Sequence, residues 1–247
     1  MGGIFLTRIA AFFDIDGTIY REGLITELFK KVLKYELIEE DVWKKEVEPA
    51  YLKWDRREGD YDTYLIKMVE VFIQAIEGIN KNHIDHMANR VISQKGDRIY
   101  TFSRERIQWH KDQGHVVIAI SGSPEELVSK MAQKYNMDDY RATIYQTDEN
   151  NNYNGTIIPM WDSASKIKAL KELQEKYDID LSQSYAYGDT TGDVTMFEAV
   201  GYPYAINPNK ALVNKILEDE ELKERLNIIL ERKDVRYKIK LEHTEII

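Results

Sequence analysis

The chain is 247 residues long, holds no cysteine and carries a formal charge of −9, from 43 acidic against 34 basic residues. The missing thiols exclude a disulfide framework, a cysteine nucleophile and any Cys-ligated zinc or iron–sulfur centre. The acid excess argues against a phosphate-backbone binder, and 43% hydrophobic with 31% charged residues describes a folded chain long enough for one large domain or two smaller ones.

Met1 to Phe13 is apolar, with Arg8 as its one base, but it runs straight into Asp14 and Asp16 without a small-residue cleavage site. No secretory signal is expected from that pattern, and Leu6 stands where myristoylation after Gly2 would need Ser or Thr. No apolar run approaches the roughly 20 residues that cross a bilayer, so the expectation is a cytoplasmic protein with no membrane attachment. Ile9 to Phe13 itself reads as a buried strand of a parallel sheet.

Leu24, Leu28 and Val32 then recur every four residues, as do Ile25, Phe29, Leu33 and Leu37. Trp43, Val47, Ala50, Tyr51 and Trp54 repeat the pattern, and Tyr64, Met68, Phe72 and Ile76 follow it. These are amphipathic helices, punctuated at Gly59-Asp60 and Gly78, and residues 21–99 read as an all-helical insertion into an α/β domain. Thr101 or Ser103 is the candidate cap of a helix carrying Ile107. Val116 to Ile120 is the second buried strand, and Ser123-Pro124-Glu125-Glu126 is a strong helix start, with Ser123 as its cap. That helix carries Leu127, Val128, Met131 and Tyr135. Ala142 to Thr147 and Thr156 to Ile158, around a turn at Asn150 to Gly155, predict a β-hairpin. Lys166 to Tyr177 predicts a further helix, Tyr185 to Tyr187 and Tyr202 to Ile206 two more strands, and the basic residues from Arg232 to Lys240 an ordinary solvated terminal segment.

Three of these strands end in polar clusters: Asp14-Ile15-Asp16-Gly17-Thr18, Ser121-Gly122-Ser123 and Gly188-Asp189-Thr190-Thr191-Gly192-Asp193. In open α/β sheets ligands bind beyond the carboxyl ends of the strands, so the three clusters should converge. Two carboxylates two residues apart at a strand end can share a cavity, one as nucleophile and one as proton shuttle. Their repulsion is relieved by a divalent cation. Thr18 offers a hydroxyl, and Ser121-Gly122-Ser123 before a helix makes an anion site suited to phosphate. Lys166 adds a cation. His83 and His86 lie one helical turn apart but lack a third ligand, and read as a solvated face.

In this order the motifs resemble those of the haloacid dehalogenase superfamily, and within it the phosphoserine-phosphatase-like branch: Phe13-Asp14-Ile15-Asp16-Gly17-Thr18, then Ser121-Gly122-Ser123, then Lys166, then Gly188-Asp189 with Asp193. The resemblance covers about residues 8–210. It implies an α/β fold with a Rossmann-like core of mainly parallel strands, formed by residues 1–20 and 100–247, and a helical cap formed by 21–99. It implies a Mg²⁺-dependent hydrolase of a small phosphorylated metabolite. Asp14 would attack phosphorus and Asp16 would serve as acid and then base. Mg²⁺ would sit on the Asp14 carboxylate, the Asp16 carbonyl and Asp189, with Asp193 behind, while Thr18, Ser121, Gly122 and Lys166 hold the phosphate side. The chain departs from the branch at Gly17, where Ser is usual, at Gly23, which with Glu22 stands near a substrate-holding Glu, and at Gly192, often Asn. These departures weaken the case for phosphoserine as the substrate and leave the reaction type intact. Glu22, Arg56 and Arg57 are candidate specificity residues, and Trp43, Tyr51, Trp54, Tyr61 and Tyr64 read as core or pocket lining. A phosphomutase and a phospho-accepting receiver module are the alternative readings; oligomeric state is not encoded.

Overall fold

The computed structural model of the chain describes residues 7–37 and 39–241, the side chains of Glu40 and Asp62 excepted; the expectations on Met1 to Leu6 lie outside them. An eight-stranded sheet runs in the order β4-β3-β2-β1-β5-β6-β7-β8. Its strands are β1 (Ala10–Phe13), β2 (Val116–Pro124), β3 (Asp139–Thr147), β4 (Tyr153–Ile158), β5 (Tyr185–Gly188), β6 (Tyr202–Ile206), β7 (Asn227–Arg232) and β8 (Val235–Ile239). The strands from β3 through β7 pair parallel across the sheet, and an antiparallel hairpin closes each edge. Because side chains alternate along a strand, the short β1 serves both faces. Ala11 and Phe13 enter one hydrophobic cluster, and Ala10 and Phe12 the other.

From β1 the chain turns through residues 15–20, where Ile15 O accepts the amides of Thr18, Ile19 and Tyr20. It then builds α1 (Leu24–Lys34), a single turn α2 (Glu40–Val42) passing through a π-turn (Trp43–Val47) into α3 (Glu48–Asp55), α4 (Tyr61–Ile76) and α5 (Lys81–Lys95). A bridge between Tyr20 and Ile99 brings the start and end of this block together. Its apolar faces share one cluster with β1, β2 and α7 (Glu125–Lys134). No described helix is long and apolar enough to cross a membrane.

Four local expectations are corrected. Ser121 to Pro124 continues β2 instead of turning, pairing Pro124 with Thr143 after a register shift; Ser123 therefore does not cap α7, whose N-cap is Pro124. Helix α6 (Thr101–Asp112) is capped by neither Thr101 nor Ser103. The Glu231 carboxylate, from β7, accepts the amides of Thr101 (2.9 Å) and Phe102 (2.8 Å). The hairpin turn is made by Asp148, whose Oδ1 accepts the amides of Asn150 and Asn152 at 2.9 Å, which places Gly155 inside β4. The basic terminal stretch is no plain solvated tail, since Arg236 and Lys238 lie in edge strand β8.

Candidate active site

The strand order reverses at β1: the chain proceeds from it to β2 and β3 on one side, and later to β5 and β6 on the other. A crevice opens at such a switch point, beyond the carboxyl ends of the strands. Asp14 and Asp16 follow β1, Ser121 to Ser123 end β2, and Asp189 to Asp193 follow β5. Helix α8 (Ser163–Tyr177) brings Lys166 underneath, on its first turn, after the Asp162 side chain caps it through Ser165 N (2.9 Å).

Asp14 is buried, anchored by its amide on Tyr187 O (2.9 Å), and its Oδ1 accepts Lys166 Nζ at 2.8 Å. The same ammonium donates to Asp193 Oδ1 at 2.6 Å. The other oxygen of Asp193 accepts the amides of Asp189 (3.0 Å) and Thr190 (3.1 Å), which fixes the loop after β5. Asp16 is held from two sides: its Oδ1 accepts Leu24 N at 2.6 Å, at the start of α1, and its Oδ2 accepts Ser123 Oγ at 2.6 Å and, more weakly, Ser121 Oγ at 3.4 Å. Thr18 donates to Asp189 Oδ1 at 3.2 Å.

Two glycines are dictated by this packing. Gly17 has φ +80°, and a Cβ there would stand 2.0 Å from Asp189 Oδ2. Gly192 lies under the loop before α8, where a Cβ would stand 2.6 Å from Trp161 O; the same Trp161 leaves a Cβ on Gly122 only 2.8 Å from its own. Thus at two departures from the resembled motifs the side-chain space is taken, at Gly17 by Asp189 and at Gly192 by the Trp161 backbone.

Electrostatically the site is short of positive charge. Burial pushes the Asp14 carboxyl up to about 8, against the pull of Lys166 and with the push of Asp193 and Asp16. Burial also raises Asp189 well above the carboxylate range, reinforced by Asp14 and Asp193. Asp16 is raised by burial and partly restored by its hydrogen bonds from Leu24 and Ser123. Burial opposes the charge on Lys166, but Asp14 and Asp193 outweigh it and hold its pKa above the ordinary lysine value. Among the described residues no three His, Cys, Asp or Glu side chains are grouped to hold a metal ion. Asp14 and Asp189 with the backbone carbonyl of Asp16 are instead two carboxylates and a neutral oxygen. That hard-oxygen set, beside excess negative charge, fits a Mg²⁺ that keeps several waters.

Direct contacts join Asp14, Lys166 and Asp193, join Asp16 to Ser121 and Ser123, and join Thr18 to Asp189; Gly122 sits between the two serines, its carbonyl accepting Thr143 Oγ1 at 2.8 Å. The structure does not bring in Glu22, which pairs with Arg98 at 3.0 Å on the surface, or Arg56 and Arg57, exposed at the end of α3. Ser123 was assigned by sequence to the helix cap, and its hydroxyl is instead the tighter of the two serine contacts to Asp16. A strand that outruns its apolar run gives no periodicity signal, so nothing in the chain announced this role. A surface cleft of about 560 Å³ between α6 and β8, lined in part by Arg106, Trp109, Arg236 and Tyr237, contains none of the site residues.

Residues 11–198 match the family model of the haloacid dehalogenase-like hydrolases. The chain is 27% identical over 214 residues to the inhibition of morphological differentiation protein of Streptomyces azureus, covering 86% of this chain and 76% of that one. It is 26% identical over 213 residues to a protein of Mycobacterium tuberculosis described as a probable phosphatase, covering 83% and 71%. Among solved structures, a Bordetella pertussis protein of unknown function superposes with a TM-score of 0.68 at 16% identity, covering 86% of this chain and 96% of that one. A substrate-bound phosphoserine phosphatase does so with 0.60 at 19% identity, covering 93% and 95%; these two likenesses establish the fold. The chain belongs to the haloacid dehalogenase-like hydrolases.

Proposed function

We propose that this haloacid dehalogenase-like hydrolase is a phosphomonoesterase acting through a phosphorylated Asp14. The observation that carries the reading is the pairing of Asp14 with Lys166 at 2.8 Å, beside an Asp16 held by two independent donors. Lys166 favours the ionised nucleophile and offsets the charge of an incoming phosphoryl group. An Asp14 oxygen attacks phosphorus, the bond to the leaving oxygen breaks, and Asp16 delivers a proton to that oxygen. Water then attacks phosphorus as Asp16 takes its proton, and the Asp14–phosphorus bond breaks to release phosphate. Leu24 N and Ser123 Oγ keep the Asp16 carboxyl aimed through both steps. Ser121 and the Gly122 amide serve the phosphoryl oxygens, and Thr18 steadies Asp189.

Mg²⁺ would be held by the Asp14 carboxylate, the Asp16 carbonyl and Asp189, with Asp193 fixing the loop behind, and when bound it supplies charge neutralisation at the phosphoryl group. The chain divides, in this reading, into a core of residues 1–20 and 100–247 and a cap of 21–99. The Tyr20–Ile99 bridge, which joins the two ends of the helical block, supports that division. Replacing Asp14→Asn keeps the side-chain volume and removes the nucleophile. Turnover of 4-nitrophenyl phosphate is expected to fall by about three orders of magnitude or more with an unchanged circular dichroism spectrum. Undiminished turnover would refute the assignment.

A further inference from the structure

An aromatic cluster of the helical block begins at Tyr61, beside the first turn of α1. Tyr61 opens α4, where the Asp60 side chain caps the helix through Thr63 N at 2.7 Å. The Tyr61 hydroxyl lies against Gly23: a Cβ there would stand 2.6 Å from the phenol oxygen and 3.2 Å from the Thr26 hydroxyl. The next residue, Leu24, gives its amide to Asp16 Oδ1 at 2.6 Å. The phenol tip and the Asp16 carboxylate therefore share the first turn of α1. After burial itself, the groups acting on the Tyr61 phenol are Asp16, Tyr64 and Asp189, and a hydrogen bond with the Thr26 side chain, with no cation among them.

Behind Tyr61 the rings continue. Trp54 lies edge-on to it at 5.3 Å and stacks on Tyr64 at 5.6 Å. Tyr51 touches both Trp54 and Tyr64, and Trp43 adjoins Tyr51 at 5.8 Å. Tyr64 is buried, while Trp43, Tyr51 and Trp54 are half-buried, so the cluster that starts at Tyr61 reaches the surface. The cations of the adjoining turn, Arg56 and Arg57, are exposed.

We propose that Tyr61 is a specificity-determining residue whose hydroxyl meets the leaving-group side of a phosphomonoester held at Asp14, and that it selects esters of uncharged alcohols bearing apolar surface. This inference rests on the phosphatase reading. An uncharged hydroxyl hydrogen-bonds a neutral leaving group without cost, and flat or branched apolar groups gain contact with the rings behind it. A leaving group carrying a carboxylate or second phosphate loses its water there beside phenols and carboxylates, with no cation among the groups that act on Tyr61.

The test compares benzyl phosphate with 3-phosphoglycerate, whose leaving alcohols are both aliphatic. Wild-type enzyme should favour benzyl phosphate about tenfold or more in kcat/KM. Tyr61→Phe, nearly isosteric, removes the donor to the bridging ester oxygen, the one acceptor on a benzyl leaving group, and should lower that kcat/KM about tenfold, the size of one lost hydrogen bond, while the inhibition constant of inorganic phosphate, which has no leaving group, stays put. Tyr61→Arg should move the preference towards 3-phosphoglycerate, a shift that a merely structural tyrosine would not produce. The proposal is overturned if wild-type enzyme favours 3-phosphoglycerate, if Tyr61→Phe acts like wild type, or if Tyr61→Arg leaves the ratio unchanged. If no phosphomonoester is turned over at all, the phosphatase reading itself falls and this inference with it.

Discussion

A carboxylate buried beside other carboxylates must find a counter-charge or take up a proton. Asp14, Asp189 and Asp193 converge on the single ammonium of Lys166, and the first two are pushed towards protonation as a result. The same crowding explains Gly17. Its left-handed backbone and its contact with Asp189 leave no room for a side chain. Gly17→Ala is expected to cost about 1–3 kcal/mol of stability through backbone strain and, by displacing Asp189, most of the turnover. Chemical denaturation and a steady-state assay on the same preparation check both; a variant with unimpaired activity would mean that Asp189 has freedom the packing denies it.

At the scale of elements, α6 is fastened to the sheet by polar contacts that the sequence pattern did not disclose. Its N-terminal amides bond to Glu231, 130 residues further along the chain, and its last turn carries His110, fully buried against Phe13 and bonded to Tyr187 Oη at 2.8 Å. Burial lowers the His110 pKa to about 2, with Arg106 and His115 adding repulsion. The unfolded chain takes up this proton below about pH 6.5 and the folded chain does not, so stability is complete above that pH and drains away as pH falls towards 2. Urea midpoints at pH 7 and pH 5 should differ in wild type, and His110→Phe should shrink the difference; an equal difference in both would remove His110 as the cause. The strands at β1, β2, β5 and β6 were readable because buried parallel strands are short apolar runs, and the helices between residues 24 and 95 because their period is 3.6. Caps supplied across the chain, and a strand that continues through Ser-Gly-Ser-Pro, have no local signature. Ser123, before Pro124 and two acids, therefore reads from the sequence as a cap.

Over the whole molecule, the helical block rests on the core through a polar seam. Lys81 of α5 pairs with the buried Glu126 of α7, which also accepts Tyr153 Oη from β4 at 2.7 Å, and Lys130 of α7 pairs with Asp85 of α5. Lys81→Met leaves a buried carboxylate with the Tyr153 donor and should cost about 1.5–3 kcal/mol, read as a melting temperature lower by roughly 3–12 °C; an unchanged melt would show that the seam contributes nothing. The convergence of the three strand-end clusters was legible from their order and from the rule for switch points. Which side chain of the helical block lies beside the first turn of α1 was not, because α4 meets α1 through tertiary packing alone. Asp14 is the residue proposed to carry the phosphoryl group. The most direct test of that role is to incubate the Asp16→Asn variant with 2,4-dinitrophenyl phosphate, whose leaving group needs no proton, quench in acid and map the phosphorylated peptide by mass spectrometry. Label on Asp14 is the predicted result, since attack proceeds and hydrolysis lacks its base; label on another residue, or release of dinitrophenol with no covalent label at any time point, would contradict it.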